Sequence, residues 1–103
     1  MRSATYELFH TAILERKQIV CEYGGCHREV CPHVLGHTGR EEMVLTFQFG
    51  GESKSGLPPG GEWRCFALAD VRNAHLRDGP WRTGTQHGQP QVCVAIVDLD
   101  VDR

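Results

Sequence analysis

Six side chains able to bind a metal or act as nucleophiles fall within 17 residues: Cys21, Cys26, His27, Cys31, His33 and His37. Zinc needs four ligands converging tetrahedrally, usually as two close pairs on turns. No Cys-x-x-Cys occurs here, and Cys21 and Cys31 sit in runs whose polarity alternates as it does in strands. A buried cysteine behaves as a small apolar residue, so the spacing favours a structural role. A zinc-stabilised domain using Cys26, His27, Cys31 and His37 is the weaker alternative. His33 and His37 are expected instead at the mouth of a pocket.

Covalent catalysis needs a nucleophile, a base and a group that orients the base. Cys21, Cys65 and Cys93 stand in no such motif, so the sequence predicts neither an enzyme nor a cofactor. Asp98, Asp100 and Asp102 alternate with Val97, Leu99 and Val101. This pattern places the three acids on one solvated strand face, where they discourage edge-to-edge pairing; the Gly and terminal Glu of a calcium loop are missing. Gly51-x4-Gly56 is followed by Leu57-Pro58 rather than the Lys and hydroxyl of a phosphate loop. Recognition is the better-supported chemistry. Arg64, Arg72, Arg77 and Arg82 are interleaved with Trp63, Phe66 and Trp81. Guanidinium forks match phosphate or carboxylate, and aromatic faces stack flat ligands. The candidate ligand-binding residues are Arg64, Arg72, His33, His37 and Trp63.

The chain has 103 residues, 11 of them Lys or Arg and 13 Asp or Glu, for a formal net charge of −2. That length predicts a single domain over residues 1–103. Near-neutrality excludes a general electrostatic grip on nucleic acid, so any basic patch must be local. Residues 1–91 carry ten basic and ten acidic groups; residues 92–103 carry three acids and Arg103, a separate acidic end. No apolar run reaches the roughly 20 residues that a membrane helix needs. The N-terminus lacks the layout of a signal peptide, which gives a cytoplasmic expectation without a membrane partner. Five cysteines, an odd number at irregular spacings, predict reduced thiols rather than a disulfide framework.

The elements follow from periodicity. Leu8, Phe9, Ala12 and Ile13 recur at helical spacing within 4–17, with Ser3 or Thr5 as the cap and Arg16 and Lys17 in the last turn. From Gln18 the period becomes two. Strands are predicted over 18–23, 26–37, 43–49, 63–68 and 71–77, with turns at Gly24-Gly25, 36–40 and 78–80. Pro32 cannot donate to a ladder, so a bulge, bend or edge is expected there. Residues 50–61 are a Gly/Pro/Ser loop, which is also a possible lid. Residues 83–91 form a polar connector to a last strand over 92–101. Crossover helices are missing, so the fold class is α+β: a small, strongly bent antiparallel sheet or partly open barrel of five or six strands, with the helix covering one side.

Several phrases, in chain order, resemble the WYL domain. Ala12-Ile13-Leu14-Glu15-Arg16-Lys17 running into Ile19-x-Cys21-x-Tyr23 is similar to that family's opening helix and first strand. Arg28 to Leu35, with Pro32, resembles its second strand. Met43-Val44-Leu45-Thr46-Phe47 occupies the place of the naming Trp-Tyr-Leu, with Met43 and Val44 in place of Trp and Tyr. Trp63-Arg64-Cys65-Phe66-Ala67-Leu68 resembles its Trp-Arg-x-Phe-Arg-Leu strand, with Ala67 in place of the second Arg. The resemblance covers residues 4–77. It implies a bacterial regulatory module: a helix packed on a small Sm-like antiparallel barrel of five to six strands. Its implied role is non-catalytic binding of an anionic, nucleotide-like or single-stranded nucleic-acid ligand. The alternative is a protein-interaction module that pairs through the C-terminal strand or the 50–61 loop. Unmanaged sheet edges in so small a chain also lead us to expect a homodimer.

Overall fold

The computed structural model describes residues 2–53, 56–84 and 93–102. Helix α1 spans Ala4–Glu15, and six strands follow: β1 Gln18–Tyr23, β2 Cys26–Thr38, β3 Glu41–Gly51, β4 Glu62–Ala67, β5 Val71–Arg77 and β6 Ile96–Asp100. Ser3 caps the helix, its hydroxyl accepting from the Tyr6 N–H at 3.0 Å. Arg16 ends it in a left-handed conformation (φ 52°). The two cations therefore lie just past the last turn rather than inside it. Lys17 pairs with Asp78 at 2.6 Å, and Arg16 donates to the Val101 carbonyl at 3.3 Å.

All strand pairs are antiparallel, in the order β4-β3-β2-β1-β5, with β6 paired to the far half of β2. The hairpin between β1 and β2 turns at Gly24-Gly25, both at positive φ. A flat five-stranded sheet would hold β4 and β5 about 19 Å apart. They are joined only by the 3-10 turn Leu68–Asp70, and the four steps from Ala67 to Val71 reach about 14 Å at most. The sheet must therefore curl. Tyr23 of β1 spans the resulting hollow, stacking on Phe66 of β4 at 4.2 Å and accepting from the Ala67 N–H with its hydroxyl at 3.1 Å. β4 and β5 do not pair with each other, so the curl stops short of a closed barrel.

The inner face of the curl and α1 enclose the main core, including Phe9, Ile13, Ile19, Val30, Leu35, Val44, Phe66 and Leu99. The outer face is covered as well. Val34, Leu45 and Val94 form a second cluster there, flanked by Met43, Trp63 and Cys93. Covering on both sides explains why β1 buries Gln18 and Val20, which strict alternation would leave in solvent. Gln18 donates to the Pro80 carbonyl and accepts from Arg77.

Four register shifts interrupt the ladders, and two of them, in β2 and β6, bear on the predicted faces. Pro32 faces Thr46 and Val34 faces Leu45, leaving His33 as the extra residue in β2. The bulge expected at Pro32 is present, but it moves Val34 to the outer face with Cys31 rather than leaving it with Pro32. In β6, Leu99 faces Leu35 and Val97 faces Gly36, so Asp98 is the extra residue. Asp98, Asp100 and Asp102 are therefore not one solvated row: Asp98 turns to accept from the Tyr6 hydroxyl at 2.6 Å.

The expectation of reduced thiols is also corrected. Cys65 and Cys93 form a disulfide, leaving Cys21, Cys26 and Cys31 free. Cys65 alternates to the outer face of β4, and the segment at 93–95 lies against that face; one-dimensional spacing could not show this juxtaposition. Most of the expected connector (85–91), and Val92 at the expected start of the last strand, lie outside the described residues, as do Lys54 and Ser55 of the 50–61 loop.

Candidate functional site

His33 and Trp63 are brought together. The β2 bulge directs the His33 ring to the outer face, edge-on to Trp63 at 4.7 Å and tilted against Trp81 at 5.0 Å. Its Nδ1 lies 2.7 Å from the Cys31 carbonyl and its Nε2 3.1 Å from Thr83 Oγ1. A carbonyl only accepts, so Nδ1 carries the proton, and in the neutral ring Nε2 accepts from the Thr83 hydroxyl. Burial holds the His33 pKa below its ordinary value, against the opposing pull of the Cys31 carbonyl and of Asp102 and Asp100. Trp63 packs edge-on to Phe47 at 5.4 Å, and Gly84 crosses both rings so closely that a Cβ there would lie 2.5 Å from Phe47. This pair belongs to a packed outer layer rather than an open stacking platform.

Arg72 and His37 stand elsewhere. Arg72 donates through Nη1 to the Ala69 and Val71 carbonyls at 2.7 and 3.2 Å. It lines a cavity of about 420 Å³ beside the Gly24-Gly25 turn, where Glu22 and Asp70 outnumber it in charge. His37 is near the other end of β2, its Nδ1 3.9 Å from Asp98. It borders a cavity of about 430 Å³ with Arg2, Tyr6, Arg40 and Glu42. Burial and the Asp98 carboxylate push Tyr6 up to about 12. The zinc candidates do not converge either. Cys26 and His37 lie at or near opposite ends of the 13-residue β2, Cys31 faces the outer layer, and His27 approaches Glu29 at 3.6 Å. Among the described residues, no group of three or more His, Cys, Asp or Glu is placed to hold a metal.

Arg64 is the predicted residue with the most informative surroundings. Its Nη2 donates to Ser53 Oγ at 3.0 Å and the Gly56 carbonyl at 3.4 Å, and it pairs with Glu62 at 2.8 Å, so it ties the 50–61 loop to β4. Its Nε is buried without a hydrogen-bond partner. Directly across the ladder is Thr46, fully buried, whose Oγ1 also lacks a partner. Buried polar atoms are nearly always satisfied, so two orphans at one cross-strand pair mark the inner face here as chemically incomplete.

Beside them on the same face is Arg28, 7% exposed. Its guanidinium donates to the Tyr23 carbonyl and, at 3.0 Å, to Gln48 Oε1, with the Tyr23 and Phe66 rings each 5.7 Å away. None of the ion pairs among the described residues includes it. Gln48 spends its amide on the Gly50 and Glu52 carbonyls, tying this cluster to the start of the same loop. Among the described residues, Glu62 on Arg64 is thus the one carboxylate paired with either arginine, an arrangement suited to receiving an anion. Arg28, Thr46 and Gln48 were not among the sequence candidates. The available signal was an arginine on the same strand parity as Val30, and Thr46 and Gln48 on that of Val44.

Comparison with protein-family profiles, curated proteins and solved structures finds no match to this chain.

Proposed function

We propose that the chain is a non-catalytic, WYL-like regulatory or sensing module, its helix and curled sheet an opened Sm-like barrel. Its ligand would bring an anionic, nucleotide-like group to Arg64 and Thr46 under the 50–61 loop. The single observation that carries this reading is the pair of buried, unpartnered atoms, Arg64 Nε and Thr46 Oγ1, at directly opposed positions. Arg28, a buried cation outside every ion pair among the described residues, adds the charge. The return of β5 to β1, with β4 and β5 separated only by a 3-10 turn, supports the Sm-like reading.

The test is titration with inorganic phosphate, mononucleotides and a short single-stranded oligonucleotide at several salt concentrations. Binding should weaken with salt. Arg64→Ala should lower affinity by roughly 10- to 100-fold, the range of a charge-assisted hydrogen bond. Absence of binding across the panel would refute the reading.

A second reading, a protein-interaction module or homodimer that pairs through β6, is favoured by Ile96 and Val97, which are 55% and 46% exposed on a strand that, among the described residues, pairs only with β2. A monomeric mass by light scattering across the micromolar range would remove the homodimer. No helix among the described residues is long and apolar enough to cross a membrane. The location we propose is cytoplasmic, where a disulfide is commonly transient or redox-sensing.

A further inference from the structure

We infer that the Cys65–Cys93 bond is a thiol-accessible latch that sets how firmly the C-terminal strand β6 is held on β2. The cysteines divide in an unusual way. Cys21 and Cys31 are free yet almost wholly buried, 1% and 0% exposed. Cys65, which is bonded, is exposed, and Cys93 is half-buried. A structural disulfide shielded from solvent resists exchange, whereas an exposed one is open to attack by an external thiolate. Burial pushes the Cys21 thiol up to about 11 and raises Cys31 too, so neither is a ready competitor for that chemistry.

The position of the bond defines what it controls. It fixes Cys93 three residues before Ile96, the first residue of β6. Once it is open, the approach to β6 is held among the described residues by Val94, buried against Val34 and Leu45, and by the Thr38 hydrogen bonds to Cys93 and Ala95, none of them covalent. Removing a covalent tie three residues from the strand lowers the effective concentration of β6 at β2, so its docking should weaken. The remaining attachments are non-covalent: the β2–β6 ladder, the Val101 N–H to the His33 carbonyl, Arg16 to the Val101 carbonyl, and side-chain contacts. Thr38 accepts the Ala95 N–H and donates to the Cys93 carbonyl, Tyr6 donates to Asp98, and Leu99 and Val101 enter the main core. Release would uncover the edge of β2 from Val34 to His37, which β6 covers. The helix and β1 to β5 keep their own pairing and most of their core. The latch is independent of which ligand the inner face takes.

The reaction balances with a dithiol as reductant. Its thiolate attacks one sulfur and breaks the Cys65–Cys93 bond, giving a mixed disulfide, and its second thiol resolves that intermediate. The protein gains two electrons and two protons, and the dithiol leaves as a cyclic disulfide.

The test treats native protein with dithiothreitol, followed by alkylation with mass mapping and by backbone hydrogen exchange. Cys65 and Cys93 should become alkylated without denaturant while Cys21 and Cys31 do not. Exchange across 96–101 should rise, with 9–13 and 44–48 unchanged. The double variant Cys65→Ser/Cys93→Ser should show the same β6 exchange without reductant; if it does not fold, the reduced native protein supplies the measurement. A bond that opens only in denaturant, unchanged β6 exchange, or an equal rise along the whole chain would each overturn the latch.

Discussion

His33 illustrates how one residue's environment becomes a measurable property. Its neutral ring is buried against Trp63 and Trp81, which holds its pKa below the ordinary 6.5. As pH falls below 6.5 the unfolded chain binds this proton first, so folding stability declines on acidification and is fully present above that pH. Urea midpoints should therefore drop between pH 7 and 5, and His33→Gln should flatten that slope. A wild-type midpoint that is level or rising over this range would contradict the buried, neutral ring. Thr46 makes a second prediction. Replacing its unpartnered hydroxyl by the isosteric Thr46→Val removes an unsatisfied group, so the unliganded protein should gain about 1 kcal/mol in urea unfolding. The same change should weaken ligand binding. Binding that is unaffected would exclude Thr46 from the site. Arg64 was legible in the sequence as a guanidinium between aromatics. Arg28 was not, because its strand parity assigns it to a face without saying that the curl would close over it.

At the scale of elements, the six strands and the helix were largely legible, because hairpin turns and two-residue periodicity are local properties. Pro32 announced a bulge for the same reason: its missing N–H is written in the residue type. The Asp98 bulge had no such sign. It arises where β6 must send Leu99 inward while passing Gly36, a close approach that only a residue without a side chain permits. A Cβ on Gly36 would lie 1.9 Å from the Ile96 carbonyl oxygen and 2.7 Å from a Val94 methyl. Gly36→Ala should therefore disrupt β6 pairing and cost about 2 kcal/mol or more in urea unfolding, as overpacked sites do. Hydrogen exchange should show the loss concentrated in 96–101. Unchanged protection there would mean that β6 does not lie against Gly36. The disulfide belongs to the same scale, because it joins β4 to the approach of β6. Closing 28 residues should contribute about 3.5 kcal/mol through the unfolded state, and the Cys65→Ser/Cys93→Ser variant should lose about that much.

For the whole molecule, the shifted groups bound a stability plateau. Cys21 is raised from 9.0 to about 11 and Tyr6 from 10.0 to about 12. Raised acids stabilise below their unfolded values, and that stability is lost as pH climbs through the folded ones. The unfolding midpoint should hold from about pH 7 to 9 and fall beyond it, Cys21 acting first; a midpoint still level at pH 11 would contradict this burial. Under denaturing, non-reducing conditions thiol titration should count three groups, Cys21, Cys26 and Cys31, rather than five. The sequence by itself determined the helix, the strand order along the chain, the antiparallel class and the residue types available for recognition, since each follows from local pattern and backbone chemistry. Only the tertiary structure decided that the curl stays open between β4 and β5, that Cys65 meets Cys93, that His33 is packed among tryptophans, and that Arg28, Thr46 and Arg64 share one buried face. Those outcomes depend on which distant segments cover each face and on single-residue bulges that reverse side-chain direction, and neither is encoded in the spacing along one strand.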